Sequence, residues 1–239
     1  MLGYRFFRAI LGPIFRFWYN PKIIDKEYLN VTGPIIIAGN HVHLYDQCLT
    51  IISTKRVINY MAKKEYFDDK KVAWFFKAAG CIPVNRKIKD NDATNAALEV
   101  LKNGGAIGIF PEGTRNKTDA FLLPFKFGAV SMAKKTGATI IPFGLTGDYK
   151  FRSKNLTARF GKPFKVDNMD LKEANDKLFN EVKSLMEENL KTEDWFFRFY
   201  LTNFLILFSF NDSMLLSKFS PKAWAASIML SCSSKWKLL

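Results

Sequence analysis

Short apolar runs alternate with longer helical patterns between residues 34 and 166, and this alternation strongly limits the folds open to the chain. Runs rich in β-branched residues predict buried strands at residues 34–39, 57–62, 81–84, 106–110, 138–145 and 155–160. The patterns between them predict helices at residues 44–54, 65–79, 92–102 and 125–135, with a longer charged helix at 170–191. Interleaved strands and helices predict an α/β fold in which helices flank a mostly parallel central sheet.

The two ends of the chain differ from this middle part in composition. The first 30 residues are apolar and aromatic but broken by Arg5, Arg8 and Arg16, which predicts an amphipathic membrane-binding helix rather than a secretory signal. Residues 195–210 form a 16-residue apolar run, whereas a bilayer crossing needs about 20 residues. We therefore predict a membrane-associating segment at 1–30, one globular domain at 31–192 and a hydrophobic tail of unknown role at 193–239.

The net charge of +14 predicts anionic partners, which include nucleic acid, an anionic membrane and phosphorylated substrates. Basic residues mixed with Phe and Trp near the ends favour a membrane interface, and no nucleic-acid motif is present in the sequence. Cys48, Cys81 and Cys232 lack metal-ligand spacing and indicate reduced thiols. His41 and His43 are the sole histidines, which argues against a zinc enzyme built on several of them.

His41 and Asp46 follow the first predicted strand in the segment GNHVHLYD. On a continuous helix they would lie about 140° apart and could not touch. If His41 lies in the strand-to-helix turn and Asp46 in the first helical turn, the carboxylate can reach the ring and leave one ring nitrogen free to accept a hydroxyl proton. The alternatives are a helix-capping Asp, or a metal held by His41 and His43, for which a convincing third ligand is missing.

A second polar segment, FPEGTRN, follows the strand predicted at residues 106–110. Gly113 permits a tight turn with exposed backbone N–H groups, Thr114 adds a hydroxyl, and Arg115 offers a planar fork for phosphate. Glu112 can hold that guanidinium or bind a glycerol hydroxyl. Lys126 fits equally well as a further ligand or as a solvated helix residue. The segment also fits a polar turn capped by its own side chains.

Two further blocks end strands on the same predicted side of the sheet. In GCIPVNR, Arg86 is either a second phosphate contact or an exposed residue near a turn. In IIPFG, Pro142 removes a backbone donor, which indicates a sheet edge or a strand end that lines a pocket. A plain core strand with a bulge is the alternative for Pro142.

The blocks GNHVHLYD, GCIPVNR, FPEGTRN and IIPFG, in this order, resemble the four motifs of the glycerolipid acyltransferases of the 1-acylglycerol-3-phosphate type. The continuation LLPFKFGA is also similar, and the resemblance covers about residues 30–166. It implies that residues 31–192 form an acyltransferase domain with a catalytic base and its orienting partner, His41 and Asp46. It also implies a substrate-binding set, which consists of Arg86, Glu112, Gly113, Thr114 and Arg115 for the glycerol phosphate and Pro142 on the acyl-donor side. Asn40 matches a position expected to be structural.

This family moves a fatty acyl group from an acyl-CoA or acyl carrier protein thioester to the free hydroxyl of 1-acylglycerol 3-phosphate (lysophosphatidic acid), which gives phosphatidic acid in phospholipid biosynthesis. The resemblance therefore implies membrane lipid as a partner, no metal or other cofactor, no nucleic acid, and a place at the cytoplasmic face of the membrane. The sequence leaves open another acceptor, such as glycerol 3-phosphate or another lysolipid. It also leaves open a non-enzymatic basic module that binds membranes or nucleic acid, and a hydrolase with Cys48 or Cys81 as its nucleophile.

Overall fold

The computed structural model describes residues 2–85, 88 and 90–209, with the backbone alone for residues 193–209. Arg86 and Cys232 lie outside the described residues, as does the end of the predicted tail from residue 210 onward. The chain divides into two compact units, Met1–Lys191 and Thr192–Leu239. The sheet and the candidate site described below belong to the first unit.

A seven-stranded sheet forms the centre of the first unit. Its strands are β1 (Lys22–Ile24), β2 (Ile35–Gly39), β3 (Ile58–Lys63), β4 (Ile82–Val84), β5 (Ala106–Ile109), β6 (Thr139–Thr146) and β7 (Thr157–Phe160). They lie in the order β1-β7-β6-β2-β5-β3-β4, and all neighbours are parallel except β6 and β7. The predicted mostly parallel sheet is therefore confirmed, and β1 is a strand that the sequence patterns did not predict.

Helices cover both faces of this sheet. They are α1 (Leu2–Tyr19), α2 (Asp46–Ser53), α3 (Glu65–Asp68), α4 (Ala73–Ala78), α5 (Asn91–Lys102), α6 (Gly128–Thr136) and α7 (Leu171–Ser209), with a 3-10 helix at Lys26–Leu29. The single helix predicted at residues 65–79 is wrong, because the chain turns at Asp69. The Asp69 backbone is extended there, and its side chain accepts a hydrogen bond from the Lys71 N–H.

The core lies in two layers, one on each face of the sheet. Successive residues of β2 point to opposite faces, so that Ile36 packs with α5, α6 and α7 while Ile35 and Ile37 pack on the side of α2. All five residues of β2 are buried. This burial on both faces is typical of a central parallel strand and explains why β2 reads as a continuous apolar run.

The parallel pairing of β2 and β5 sets the position of the two polar segments. Ala38 pairs with Ile109, so that both strands end at the same edge of the sheet. The segments that follow them, which carry His41 and Glu112, therefore come together beyond the carboxyl ends of the strands. In open α/β sheets, this crevice is where binding sites form.

Membrane-crossing helices were sought in the part of the chain that the structure describes. No helix there combines the length and the apolar character that a bilayer crossing needs.

Candidate active site

His41 and Asp46 contact each other directly at the start of α2. His41 lies in the turn after β2, and its Nδ1 is 2.8 Å from Oδ2 of Asp46, the first residue of the helix. The Asp46 side chain is fully buried, and that of His41 is 15% exposed. The predicted arrangement, with one residue in the turn and the other in the first helical turn, is therefore confirmed.

The Asp46 carboxylate also holds the turn that carries His41. Its Oδ2 accepts hydrogen bonds from the backbone N–H groups of Val42, at 2.7 Å, and His43, at 2.8 Å. The turn before α2 and the imidazole are thus held by the same oxygen. The helix-capping alternative is wrong, because Val42 and His43 precede α2 and the N-cap residue of that helix, Tyr45, makes no side-chain cap bond.

Two residues before His41 fix the end of β2. The Asn40 side chain pairs with the Leu145 backbone twice, because Nδ2 donates to the carbonyl oxygen at 3.0 Å and Oδ1 accepts from the N–H at 2.7 Å. At Gly39, a Cβ atom would collide with the carbonyl oxygen and ring of Phe143 on β6. These contacts confirm the structural role predicted for Asn40 and explain the glycine beside it.

The imidazole of His41 is held against an aromatic ring. The rings of His41 and Phe110 stack with their centroids 4.0 Å apart and their planes at 12°. Because Nδ1 faces Asp46, the other ring nitrogen, Nε2, remains available, and among the described residues it has no hydrogen-bond partner. The ring is therefore oriented with one nitrogen bonded and the other free to exchange a proton.

Glu112 connects the FPEGTRN segment to the His41 backbone. Its Oε1 accepts from the His41 N–H at 2.6 Å and its Oε2 from the Leu123 N–H at 3.2 Å. Burial raises the pKa of Glu112 above that of an ordinary carboxyl, and these two backbone donors oppose the rise. The alternative in which Glu112 holds the Arg115 guanidinium is wrong, since the two side chains form no ion pair in the described part of the chain. A direct contact between Glu112 and a substrate stays a prediction.

The same segment places cations beside an exposed turn. Gly113 has a φ of 72°, a conformation that favours glycine, and a Cβ atom there would lie 2.8 Å from Lys126 Nζ. The Lys126 ammonium therefore lies over the turn. The sequence alone had left open whether Lys126 lies at the site or on a solvated helix face. Thr114 and Arg115 are exposed beside it. Their predicted contacts with phosphate remain predictions.

Of the two places that the sequence left open for Pro142, the structure shows the core strand and not the sheet edge or strand end. It lies in the middle of β6, which is an interior strand and not a sheet edge. Its missing N–H belongs on the side facing β7, because the Ile140 N–H on that side donates to Phe164. The ladder between β6 and β7 starts at Phe143, and next to it the Pro142 carbonyl still accepts a hydrogen bond from the Gly161 N–H at 2.8 Å. Its position is therefore a packing position, and its part in donor binding stays a prediction.

Sequence reasoning missed Tyr149, which contacts the second oxygen of Asp46. The phenol hydroxyl donates to Oδ1 at 2.6 Å across 103 residues of sequence. Burial, and then the nearby Asp46 carboxylate, raise the pKa of Tyr149 above that of an ordinary phenol. No spacing pattern links the two residues, so this contact could be found only from the fold.

The cysteine alternative loses support from the surroundings of the thiols. Burial raises the pKa of Cys48 to about 12 and that of Cys81 to about 11. Both are therefore protonated thiols at neutral pH, whereas the thiolate is the nucleophilic form. Within the described ranges, no group of three or more His, Cys, Asp or Glu side chains is placed to hold a metal ion.

The sequence is similar to a known family and to known proteins. Residues 20–146 match the model of the family described as Acyltransferase. A 1-acyl-sn-glycerol-3-phosphate acyltransferase of Bacillus subtilis is 32% identical over 145 residues, which cover 60% of this chain and 71% of that protein. A chloroplastic enzyme of the same name from Arabidopsis thaliana is 29% identical over 197 residues, and the match covers 74% of this chain but 53% of the plant protein.

The fold has a counterpart among solved structures. The crystal structure of the 1-acyl-sn-glycerophosphate acyltransferase PlsC from Thermotoga maritima superimposes with a TM-score of 0.62 at 24% identity, over 76% of this chain and 80% of that one. At this identity the likeness concerns the fold. Since the family model covers more than half of the sequence and includes both the His41–Asp46 pair and the FPEGTRN segment, the chain belongs to the acyltransferase family.

Proposed function

We propose that this protein transfers a fatty acyl group from an acyl thioester to the free hydroxyl of 1-acylglycerol 3-phosphate and so forms phosphatidic acid. The observation that carries the proposal is the 2.8 Å contact between His41 Nδ1 and Asp46 Oδ2, which leaves Nε2 free beside the cationic FPEGTRN turn. The names of the Bacillus and Arabidopsis relatives support this choice of acceptor.

The proposed reaction needs a base and no covalent enzyme intermediate. His41 Nε2 accepts the proton of the acceptor hydroxyl as its oxygen attacks the thioester carbonyl carbon. The carbon–sulfur bond then breaks, and the leaving thiolate accepts this proton from the imidazolium. Asp46 stabilises the imidazolium between these two transfers through its bond to Nδ1.

The phosphate of the acceptor is proposed to bind at the exposed turn after β5. Arg115 and Lys126 supply positive charge there, and the turn exposes its backbone near Gly113. Phosphate groups favour such sites because arginine donates two parallel hydrogen bonds and lysine adds a point charge. Binding at this turn brings the acceptor hydroxyl close to His41, because Glu112 and Asn116 of the same segment bond to the His41 backbone.

The terminal part of the acyl chain of the thioester is proposed to enter an apolar cavity of about 140 Å³ between α1, α2 and α4. Its walls include Tyr4, Leu11, Ile51, Tyr60, Phe75 and Ala79. The cavity is connected to the dyad by ring contacts. The Tyr60 ring in its wall packs on Phe110, and Phe110 stacks on His41. An apolar cavity of this kind fits a hydrocarbon chain, whose burial is favourable without any directed polar contact.

Filling this cavity should shorten the preferred acyl chain. In Ala79→Phe, we expect kcat/KM for a palmitoyl thioester to fall by about tenfold or more relative to an octanoyl thioester, because a pocket discriminates by the methylenes it can hold. Lys77→Phe adds the same ring at an exposed position of α4 and is the control. Equal changes for both chain lengths in Ala79→Phe, or the same shift in Lys77→Phe, would contradict the assignment of the cavity.

Membrane contact is proposed to be made by α1 at the cytoplasmic face of the membrane. Apolar side chains spaced along one side of the helix are exposed, among them Phe6, Ile10, Ile14 and Phe17. Phe151 extends this apolar surface from the loop after β6, since its ring packs on Trp18. Arginines on the same helix suit an anionic lipid surface, so we propose a peripheral or monotopic association.

Removing one apolar side chain from α1 should weaken this association. We expect Ile14→Ser to bind vesicles of mixed zwitterionic and anionic lipid about tenfold less tightly, because a buried Ile side chain contributes about 1.5–3 kcal/mol. Leu171→Ser removes another exposed aliphatic side chain, at the start of α7, and should leave vesicle binding unchanged. Sedimentation with vesicles measures both, and an equal loss in the two variants would argue against α1 as the contact.

The function itself is tested with a matrix of donors and acceptors. Purified full-length protein is offered acyl-CoA or acyl carrier protein thioesters together with lysophosphatidic acid, glycerol 3-phosphate or another lysolipid. We expect the fastest transfer with lysophosphatidic acid, and chromatography identifies phosphatidic acid as the product. Preference for another acceptor would overturn the substrate assignment, and the absence of transfer to every acceptor would overturn the activity.

A further inference from the structure

Tyr149 completes the set of donors around the buried Asp46 carboxylate. Asp46 Oδ2 accepts from His41 Nδ1 and from the backbone N–H groups of Val42 and His43. The other oxygen, Oδ1, accepts from the Tyr149 hydroxyl at 2.6 Å, its sole donor in the described part of the chain. A carboxylate with both oxygens bonded cannot rotate about its Cβ–Cγ bond without breaking several hydrogen bonds at once.

Aromatic rings hold the phenol of Tyr149 in place. One side stacks on the His43 ring, with centroids 4.2 Å apart and planes at 19°. The edge of the ring meets Tyr19, the last residue of α1, at 5.5 Å. Phe15 of the same helix lies 6.5 Å away. The orientation of the hydroxyl therefore depends on α1 as well as on the turn that carries the dyad.

We propose, on the basis of the function proposed above, that Tyr149 is a positioning residue that holds the Asp46 carboxylate so that Asp46 orients the His41 ring for proton transfer. Tyr149 bonds to the oxygen remote from the imidazole and thus acts through Asp46. The raised pKa of Tyr149 keeps the phenol a proton donor through neutral pH, as this role requires. The packing of Tyr19 on the Tyr149 ring extends the support of the dyad to the end of α1.

Tyr149→Phe tests the role because it removes the hydroxyl and keeps the ring. We expect kcat to fall by about 10- to 100-fold, the effect of one hydrogen bond to a charged group, with KM for both substrates nearly unchanged. The acid limb of the pH–rate profile should move to higher pH. Without the phenol donor, the Asp46 charge is less dispersed, and the dyad binds its proton more tightly.

A matched control removes a hydroxyl elsewhere. Tyr66 on α3 is exposed, and its ring stacks on Phe76, so that Tyr66→Phe should retain wild-type kcat, KM and pH profile. If wild type and Tyr66→Phe are active and Tyr149→Phe matches them in kcat and pH profile, the positioning role is overturned while the proposed function stands. If wild type transfers no acyl group to any acceptor, the proposed function itself has failed.

A second variant keeps the proposal testable if Tyr149→Phe folds poorly, which circular dichroism at the assay temperature would detect. Tyr19→Leu removes the α1 ring that packs on Tyr149 and leaves the hydroxyl in place. In Tyr19→Leu alone we expect a several-fold lower kcat with KM nearly unchanged, and an unchanged kcat would overturn the positioning role where Tyr149→Phe cannot be assayed. Where Tyr149→Phe folds, the loss should be largely absent in the double variant, because coupled residues give non-additive effects, and additive losses would overturn the link from α1 to the dyad.

Discussion

Replacing His41 with alanine should lower kcat for acyl transfer by about 10²- to 10⁴-fold, the contribution typical of a general base. The reason is specific to this geometry. Asp46 binds Nδ1 at 2.8 Å and the Phe110 ring packs on one face of the imidazole, so that Nε2 is the nitrogen placed to receive the hydroxyl proton. Single-turnover formation of phosphatidic acid measures the effect directly, because it reports the chemical step without product release.

The neighbouring histidine provides the control for this substitution. The His43 ring packs on Tyr149, and it is the His43 backbone N–H, which survives in His43→Ala, that bonds to Asp46. We therefore expect His43→Ala to lose far less activity than His41→Ala. Wild-type single-turnover rates in His41→Ala would rule out His41 as the base. A larger loss of rate in His43→Ala than in His41→Ala would indicate that His43 is the base.

The strands of the sheet could be predicted from the sequence because their burial is a local property of composition. A strand such as β2, buried on both faces, must be apolar at every position, and runs such as PIIIAG show this directly. The three-residue edge strand β1 carries no such signal, since two of its residues are half-buried and one is exposed. The break in the helix predicted at residues 65–79 lies at Asp69, whose extended backbone and side-chain bond from the Lys71 N–H are local features that helical periodicity does not reveal.

The dyad could be predicted for a related reason. His41 and Asp46 are close in sequence, and helix geometry alone showed that they can touch only if the first lies outside the helix. Their partners Glu112 and Tyr149 are 71 and 103 residues away from the residues they contact. The pairing of the strands decides those contacts. For Glu112, the sequence suggested a nearby guanidinium as partner, whereas the fold brought the His41 backbone N–H to it.

Asp46→Asn should lower kcat by about 10²- to 10⁴-fold while leaving most of the fold intact. Asparagine keeps the size of the side chain and can still accept hydrogen bonds from the Val42 and His43 N–H groups through its one oxygen. Its amide group can lie opposite the Tyr149 hydroxyl, which can accept as well as donate. What the variant loses is the negative charge that stabilises the imidazolium during proton transfer. The comparison therefore removes the electrostatic role of Asp46 and keeps its part in holding the turn.

Asp46→Ala provides the structural comparison for this experiment. It leaves two partly buried backbone N–H groups without their acceptor, and since a fully buried donor would cost about 1–3 kcal/mol, each loss lowers the free energy of unfolding by less than that. We expect Asp46→Ala to have a lower midpoint of thermal unfolding than Asp46→Asn, and both variants to be nearly inactive. If Asp46 only held the turn through its hydrogen bonds, asparagine, whose oxygen can accept the same bonds, would retain activity. Near wild-type kcat in Asp46→Asn would therefore show that the charge is dispensable and that His41 works without an acidic partner.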